Sequence, residues 1–508
     1  MIQDLHKLQN GSDIRGVAVD GVPGEPVTLT PDASYTLAGG FLTWLSAKTG
    51  KPVGQLKISV GHDSRISAPS LKAAVCSALQ SGGAQVIDCG LSSTPSMFMS
   101  TVFPEFACDG AIMITASHLP YNRNGLKFFD KDGGLNKGDI TALIDRAIQG
   151  TPAVAGGTVT PADLLEVYSA FLRRKICEMV DHPTDHDRPL TGLKIVVDAG
   201  NGAGGFFVEK VLQPLGADTT GSQFLEPDGT FPNHIPNPEN QEAMESICAA
   251  VLANHADVGI IFDTDVDRSS AVDKFGHEIS RNAIVALAAA LVCEDHPGTT
   301  IVTDSVTSDE LTVFIEKELG GVHHRFKRGY KNVINEAIRL NQEGTDCQLA
   351  IETSGHAALK ENYFLDDGAY LATRILIKAA RMALQGQSLD TLIAGLKHPL
   401  EEKELRFHIT CEEFGAYGDQ VLADLKAYSQ QHPEFQLAPV NHEGLRFSFD
   451  AANGNGWCLL RKSLHDPIMP MNVESNDQGG CQVICRKMLD FLSQYDQLDL
   501  TPLRDFLK

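Results

Sequence analysis

Three times along the chain an Asp opens a run of mostly apolar residues that ends in a polar loop: DGAIMITASH at 109–118, DVGIIFDTDVD at 257–267 and DCQLAIETSGH at 346–356. A short apolar run without alternation is the pattern of a strand buried on both faces, as strands are in α/β sheets. Upstream of each lies a second strand-like run, LKISVGHDSR at 56–65, LKIVVDAGNG at 193–202 and TTIVTDSVTS at 299–308, followed by a helix-like segment. The clearest helix is 68–81, where Leu71, Ala74, Val75, Ala78 and Leu79 recur at helical spacing and Gly82-Gly83 ends it before the strand AQVIDCG. Strand, helix, strand is the βαβ unit. Open α/β sheets bind ligands at the carboxyl ends of their strands, which is where the polar loops fall.

Pro/Gly-rich and charged breaks at 149–162 and 181–192, with a further break past Asp273, divide the repeats. The predicted domains are 1–160, 161–275 and 276–397. From about Glu401 the pattern changes to EKELRFHIT, a helix around 417–431, three strand-like runs (GLRFSFD, GWCLLRKS, PMNVES) and a last helix near 479–495. This reads as a smaller α+β domain over 398–508. The expected fold class is therefore α/β: three tandem mixed-sheet α/β domains plus a smaller C-terminal α+β domain around a central cleft. A chain of 508 residues, 43% hydrophobic, can bury that many cores.

Lys and Arg number 42 against 65 Asp and Glu, a formal charge of −23. That field repels nucleic acid and anionic membranes, and no long basic run offsets it, so neither is expected as a partner. It also disfavours a phosphorylated ligand, which would have to be held by a local cluster of Arg and Lys. The eleven cysteines form no Cys-x-x-Cys pair and mostly sit in apolar stretches, so they read as reduced core residues in a cytoplasmic protein. The N-terminal MIQDLHKLQNGSDIRG lacks the apolar stretch of a secretion signal. No membrane-spanning run of about 18 apolar residues occurs either.

Two loops carry chemistry on their own residues. In TASHLPYNRNGLKFF, 115–129, a small Ser is flanked by His118 and followed ten residues later by Lys127. A Ser in such a loop is usually a turn or capping residue, so Ser117 by itself is weak grounds for a nucleophile. In DTDVDR, 263–268, Asp263, Asp265 and Asp267 alternate and can converge on one hard cation, with Arg268 beside them for an anion. Oxygen-only ligands favour Mg²⁺ or Ca²⁺ over zinc. An EF-hand is excluded, because its sixth position would be Arg268 and its twelfth Lys274.

Together these loops resemble the α-D-phosphohexomutase superfamily, the phosphoglucomutase and phosphomannomutase group, over nearly the whole chain. The signature T-A-S-H-N-P, then N-G and a Lys, is matched by Thr115-Ala116-Ser117-His118, Pro120, Asn124-Gly125 and Lys127. The metal loop D-G-D-G-D-R is matched by Asp263, Asp265, Asp267 and Arg268, and the sugar loop G-E-x-S-[GA]-H by Glu352, Ser354, Gly355 and His356. The phosphate loop R-x-S-[GN]-T-E-P after a Gly-Trp strand is matched by Arg461, Ser463 and Pro467 following Gly456-Trp457. Supporting matches are Asp13-Ile14-Arg15-Gly16, then Asp63 and Arg65, and Lys327 before Gly329.

The resemblance implies that Ser117 is the phosphoserine and a metal ligand, and that Asp263, Asp265 and Asp267 hold Mg²⁺ with it. Arg268 would neutralise phosphoryl charge, while Lys127 acts as general base with His118 in support. Arg15, Arg65, Lys327, Glu352, Ser354, His356, Arg461 and Ser463 would bind substrate. Arg461 grips the non-reacting phosphate with a planar fork suited to it. The implied reaction interconverts hexose 1-phosphate and hexose 6-phosphate, of glucose and/or mannose, through a hexose 1,6-bisphosphate. Its partners are small-molecule sugar phosphates, with the enzyme a monomer or homodimer. The alternatives are phosphoglucosamine mutase, a sugar phosphatase and a non-catalytic sugar-phosphate sensor.

The sequence departs from the family pattern around these motifs. Leu119 replaces Asn, His62 an Arg, Thr264 and Val266 the two metal-loop glycines, Ile351 the Gly before Glu352, and Leu464-His465-Asp466 the phosphate-loop Gly-Thr-Glu. β-Branched residues resist positive φ, so the metal loop is expected to keep a more extended backbone than in relatives. His465 in place of Thr is expected to alter the phosphate grip and with it the sugar preference.

Overall fold

The structure, a computed structural model, describes residues 4–463 and 466–508, so the departures at Leu464 and His465 lie outside the described residues. The chain forms two compact units. The first runs to Leu291 and resumes over Ser354–Leu392; the second comprises Val292–Thr353 and Ile393–Lys508.

Each predicted pair of apolar strands is a parallel pair. Lys57–His62 lies beside Gly110–Ile114, Ile195–Asp198 beside Val258–Phe262, and Thr300–Thr303 beside Cys347–Ile351. The physical reason is the intervening helix, which returns the chain to the same end of the sheet before the next strand starts. The helix Ala68–Ser81 shows how this works: Leu71, Val75, Cys76, Ala78 and Leu79 are buried, and Gly82 caps its end by donating to the Ala78 carbonyl. Fully burying such an aliphatic side chain is worth about 1.5–3 kcal/mol. Ala74, expected on the same face, is half-buried, and Cys76 takes the place beside Val75.

In the first unit, Gly110–Ile114 continues through the signature loop into Arg123–Asp130, which runs antiparallel to it and pairs on its other edge with Asp13–Val17. A second sheet orders Glu278–Ile279, Ser269–Asp273, Val258–Phe262 and Ile195–Asp198, with the metal loop as the turn between two antiparallel strands. The hairpin of Ala357–Leu359 and Leu365–Asp366 and the helix Gly368–Ala383 complete the unit near its functional loops.

In the second unit, Val322–Arg325 pairs parallel to Thr300–Thr303. A separate antiparallel sheet runs Gln436–Leu437, Leu445–Phe449, Gly456–Leu460, Ile468–Ser475, Glu401–Ile409, Leu498–Asp499. Its core packs Phe407, Phe447, Met469, Ile484 and Met488. The helix predicted near 479–495 spans Gly480–Leu492, and one further short helix, Thr501–Phe506, follows it. All eleven cysteines are free, and burial pushes the Cys76, Cys481 and Cys485 thiols up to about 12. Among the described residues no helix is long and apolar enough to cross a membrane.

Candidate active site

Ser117 stands where the apolar strand Gly110–Ile114 gives way to its loop, with φ at +51°, outside the range ordinary residues prefer. The loop is held from beneath by side chains. Thr115 Oγ1 donates to Asp63 at 2.6 Å and accepts from the Ser117 amide at 2.9 Å. Arg65, whose side chain is fully buried, donates to the carbonyls of Pro120 at 2.8 Å, Arg123 at 2.9 Å and Leu119 at 2.6 Å, and to that of Ser117. Arg65, expected from the motif to bind substrate, thus holds the loop backbone, with Asp63 at 3.4 Å as counter-charge. Burial pushes Asp63 up to about 6, with Arg65 and Thr115 opposing the shift.

The Ser117 hydroxyl meets the metal loop. It donates to Asp263 Oδ2 at 3.0 Å, accepts from Arg268 Nη2 at 3.2 Å and lies 3.3 Å from His118 Nδ1. Residues far apart in the chain thus converge on one oxygen. Asp263, Asp265 and Asp267 are all buried, with one oxygen of each within 4.8 Å of the others. Burial and the neighbouring Asp267 and Asp265 carboxylates push Asp263 well above the usual range, against Arg268 and Lys127. Asp267 is held below that range: burial alone would raise it, but Lys127, His356 and Arg268 prevail.

These residues fit a hard cation. The donor set is all oxygen, and Asp265 Oδ1 and Asp267 Oδ1 are buried without a hydrogen-bond partner among the described residues. Lys127, opposite Met113 on the neighbouring strand, sets its ammonium against Asp265 at 3.0 Å and against Asp267. Paired this way it stands as counter-charge to both carboxylates. The expected role as general base requires that it first leave those carboxylates.

The metal-loop backbone does not follow the expectation drawn from its β-branched residues. Val266 has φ at +66° and is fully buried, so the loop makes a left-handed turn there despite the β-branched side chain. Such a conformation stores roughly 1–3 kcal/mol and persists only where its surroundings over-determine it. Here the turn is closed by the Arg268 amide on Asp263 Oδ1 at 3.2 Å, and the Val266 carbonyl accepts from the Gly368 amide at 3.1 Å. A Cβ at Gly368 would lie 2.5 Å from the Arg268 carbonyl carbon, so only Gly allows this approach. Asp367, which precedes it, caps the helix Gly368–Ala383 and accepts from Tyr168 at 2.6 and 2.7 Å and from Asn362 at 2.9 Å.

His356 joins this cluster through a backbone bridge to Arg268, with Nδ1 2.6 Å from Asp366 and 3.8 Å from Asp267. Burial would lower its pKa, but Asp366 and Asp267 win and raise it to about 9. His118 goes the other way: burial, then Arg268 and Arg15, push it down to about 2, so its ring is neutral. Arg15 lies on the strand Asp13–Val17, 3.1 Å from Asp13, and Ser354 is buried in this unit.

The remaining expected residues belong to the second unit. Glu352 accepts from the Gly329 amide at 2.7 Å, and Lys327 is exposed, 5.5 Å from the Phe326 ring. The Arg461 amide donates to Pro470 at 3.0 Å, and the Ser463 hydroxyl accepts from the Asp466 amide at 3.2 Å.

Sequence reasoning passed over several residues of the clusters. Asn237, in the segment NHIPNPEN, accepts from Arg268 Nη1 at 3.1 Å, and Glu239 stands 3.6 Å from the same guanidinium. The Pro- and Asn-rich composition marks a turn, but nothing in it announces an arginine 31 positions away. Asp366 and Tyr168 are equally silent, being single polar residues without a motif of their own.

Comparison with known proteins shows the family. Family models for phosphoglucomutase/phosphomannomutase α/β/α domains I, II and III match residues 6–153, 172–276 and 280–399. A phosphoglucomutase of Neisseria gonorrhoeae is 30% identical over 478 residues, covering 93% of this chain and 94% of its own length. A phosphomannomutase/phosphoglucomutase of Pseudomonas putida is 29% identical over 474 residues, with coverage of 93% and 94%. The crystal structure of a phosphoglucomutase/phosphomannomutase family protein from Burkholderia thailandensis superposes with a TM-score of 0.76 at 26% identity, covering 95% of this chain and 96% of that one.

Proposed function

We propose that this chain, which belongs to the phosphoglucomutase/phosphomannomutase family and is a hexose phosphate mutase, carries the phosphoryl group on Ser117 and exchanges it with the hydroxyls of glucose and mannose phosphates. The observation that carries the reading is the Ser117 hydroxyl, 3.0 Å from Asp263 and 3.2 Å from the Arg268 guanidinium. A phosphate ester on that oxygen would bring a dianion against a carboxylate. Such an arrangement is tolerable only with a cation between them, which the orphaned oxygens of Asp265 and Asp267 are suited to share. Mg²⁺, held by Asp263, Asp265 and Asp267, would supply neutralisation of charge on the transferring phosphoryl oxygens.

In the first half-reaction a hydroxyl of the sugar phosphate attacks phosphorus, the bond to Ser117 Oγ breaks, and that oxygen takes up a proton as the attacking hydroxyl gives one up. Arg268 donates to Oγ from a buried guanidinium oriented by Asp263 and Asn237, so its charge is in place before the bond breaks. Lys127 and His356, set against Asp265 and Asp366, are assigned the proton delivered to the departing oxygen, and the neutral ring of His118, 3.3 Å from Ser117 Oγ, is assigned the one that the attacking hydroxyl gives up. The product is a hexose 1,6-bisphosphate, and the second half-reaction returns its other phosphate to Ser117. Glu352 and Ser354 are assigned to the sugar hydroxyls, and Arg461 with Ser463 to the phosphate that does not react. Burial of Ser117 keeps water from the ester.

The test is to supply Mg²⁺, a trace of glucose 1,6-bisphosphate and each hexose 1-phosphate in turn, and to follow hexose 6-phosphate and free phosphate. Glucose and mannose 1-phosphates should give the 6-phosphate without free phosphate. Ser117→Ala should lose turnover and the phosphoserine mass increment while keeping its circular dichroism; full activity in that variant removes Ser117 from the chemistry.

A further inference from the structure

The second unit contains an anion place already filled by the protein's own carboxylate. Glu443 Oε2 accepts from the Ser305 hydroxyl at 2.6 Å and from the Arg328 amide at 3.0 Å, and its Oε1 lies 3.6 Å from Arg461 Nη1. Hydroxyl, backbone amide and guanidinium are the donors that hold a phosphate monoester, and here they surround a side chain. The match is not complete. Arg461 Nε is buried and has no hydrogen-bond partner among the described residues, so the carboxylate engages only one edge of the guanidinium.

The placement is built in by the backbone. Gly444 follows Glu443 with φ at +61°, and a Cβ there would meet the Leu460 carbonyl oxygen at 2.2 Å and the Arg461 Cα at 2.7 Å. Only Gly lets this turn lie flush on the strand end that carries Arg461, and the turn in turn fixes Glu443 beside the guanidinium. The contact also ties two stretches of the unit together, since Ser305 and Arg328 come from the 280–399 family domain and Glu443 and Arg461 from the sheet that follows it.

We propose that Glu443 is an internal competitor for the phosphate gripped by Arg461, displaced when a sugar phosphate docks and returning when it leaves. This rests on the reading that Arg461 holds the non-reacting phosphate. A phosphate dianion, with more charge and more oxygens than a carboxylate, satisfies the guanidinium better and wins the exchange. The competition lowers the net affinity. In a mutase that is useful, because the bisphosphate must be released by one end and gripped again by the other, and a phosphate held too well stalls that turn.

The test measures binding of inorganic phosphate to the full-length protein by calorimetry, with KM for glucose 1-phosphate alongside, in the wild type, Glu443→Gln, Arg461→Ala and the double variant. Gln keeps the shape and an acceptor oxygen but gives up the charge. The portion of phosphate binding that Arg461→Ala removes should tighten in Glu443→Gln by roughly fivefold, the weight of one partly exposed ion pair. KM should fall with it, and the double variant should behave as Arg461→Ala. Unchanged or weaker phosphate binding in a folded Glu443→Gln, with a raised KM, overturns the competitor and makes Glu443 a positioning residue for Arg461. Phosphate binding that survives Arg461→Ala intact instead removes the grip assigned to Arg461, and the competitor falls with it.

Discussion

Arg65 shows how a single buried side chain sets the geometry of a reactive loop. Its guanidinium serves carbonyls of Ser117, Leu119, Pro120 and Arg123, a task that needs several donors in one rigid plane. Lys, a point charge on a flexible stem, cannot reach them together. Arg65→Lys should therefore lower kcat by roughly 100-fold through misplacement of Ser117, and steady-state kinetics will read it. Loss confined to KM would instead mean that Arg65 meets substrate after all. The sequence identified Arg65 as a site residue through its motif, but the motif could not tell a side chain that holds the loop from one that holds the ligand. Val266 marks the opposite failure, since its β-branched side chain argued for extended backbone and the turn around it imposed a left-handed one.

At the scale of elements, the C-terminal sheet carries a cross-strand pair with a pH signature. Trp457 on Gly456–Leu460 faces Glu474 on Ile468–Ser475 and donates Nε1–H to it at 2.8 Å, and the Arg446 guanidinium lies 3.6 Å from the same ring. Burial raises Glu474 to about 7, with Trp457 and Arg446 opposing the shift. A carboxyl raised in the fold above its unfolded value of 4.5 keeps its proton in the native state. The stability linked to that proton is present below 4.5 and is lost as pH rises through about 7. Glu474→Gln, which mimics the neutral acid, should melt at a higher temperature than the wild type near pH 8 and at the same temperature at pH 4.5. A constant difference across that range would mean Glu474 is ionised throughout. The strand itself was legible, as PMNVES; its pairing with the Trp-bearing strand was not, because alternation specifies which face is buried and not which strand lies opposite.

At the scale of the molecule, the proposed Mg²⁺ site among the buried carboxylates links stability to a divalent cation. Ligand that binds only the native state adds RT ln(1 + [L]/Kd), about 2.7 kcal/mol at a hundredfold excess over Kd. Mg²⁺ should therefore raise the melting temperature and chelation should lower it, with a smaller response in Asp265→Asn. An Mg²⁺ response equal in that variant would place the cation elsewhere. What the sequence determined by itself was the succession of buried strands and polar loops, because apolar runs, helical spacing and Gly breaks act over a few residues each. It also supplied the three aspartates and Arg268 through their local spacing, whereas Ser117 stood out only through the family signature around it. Only the tertiary structure decided which groups meet: Asn237 on Arg268, Gly368 under Val266, and Glu443 at one edge of Arg461. Those contacts join residues distant in the chain through single hydrogen bonds or close approaches, and a polar side chain's partner is set by what packing brings within about 3 Å of it, a quantity no local pattern encodes.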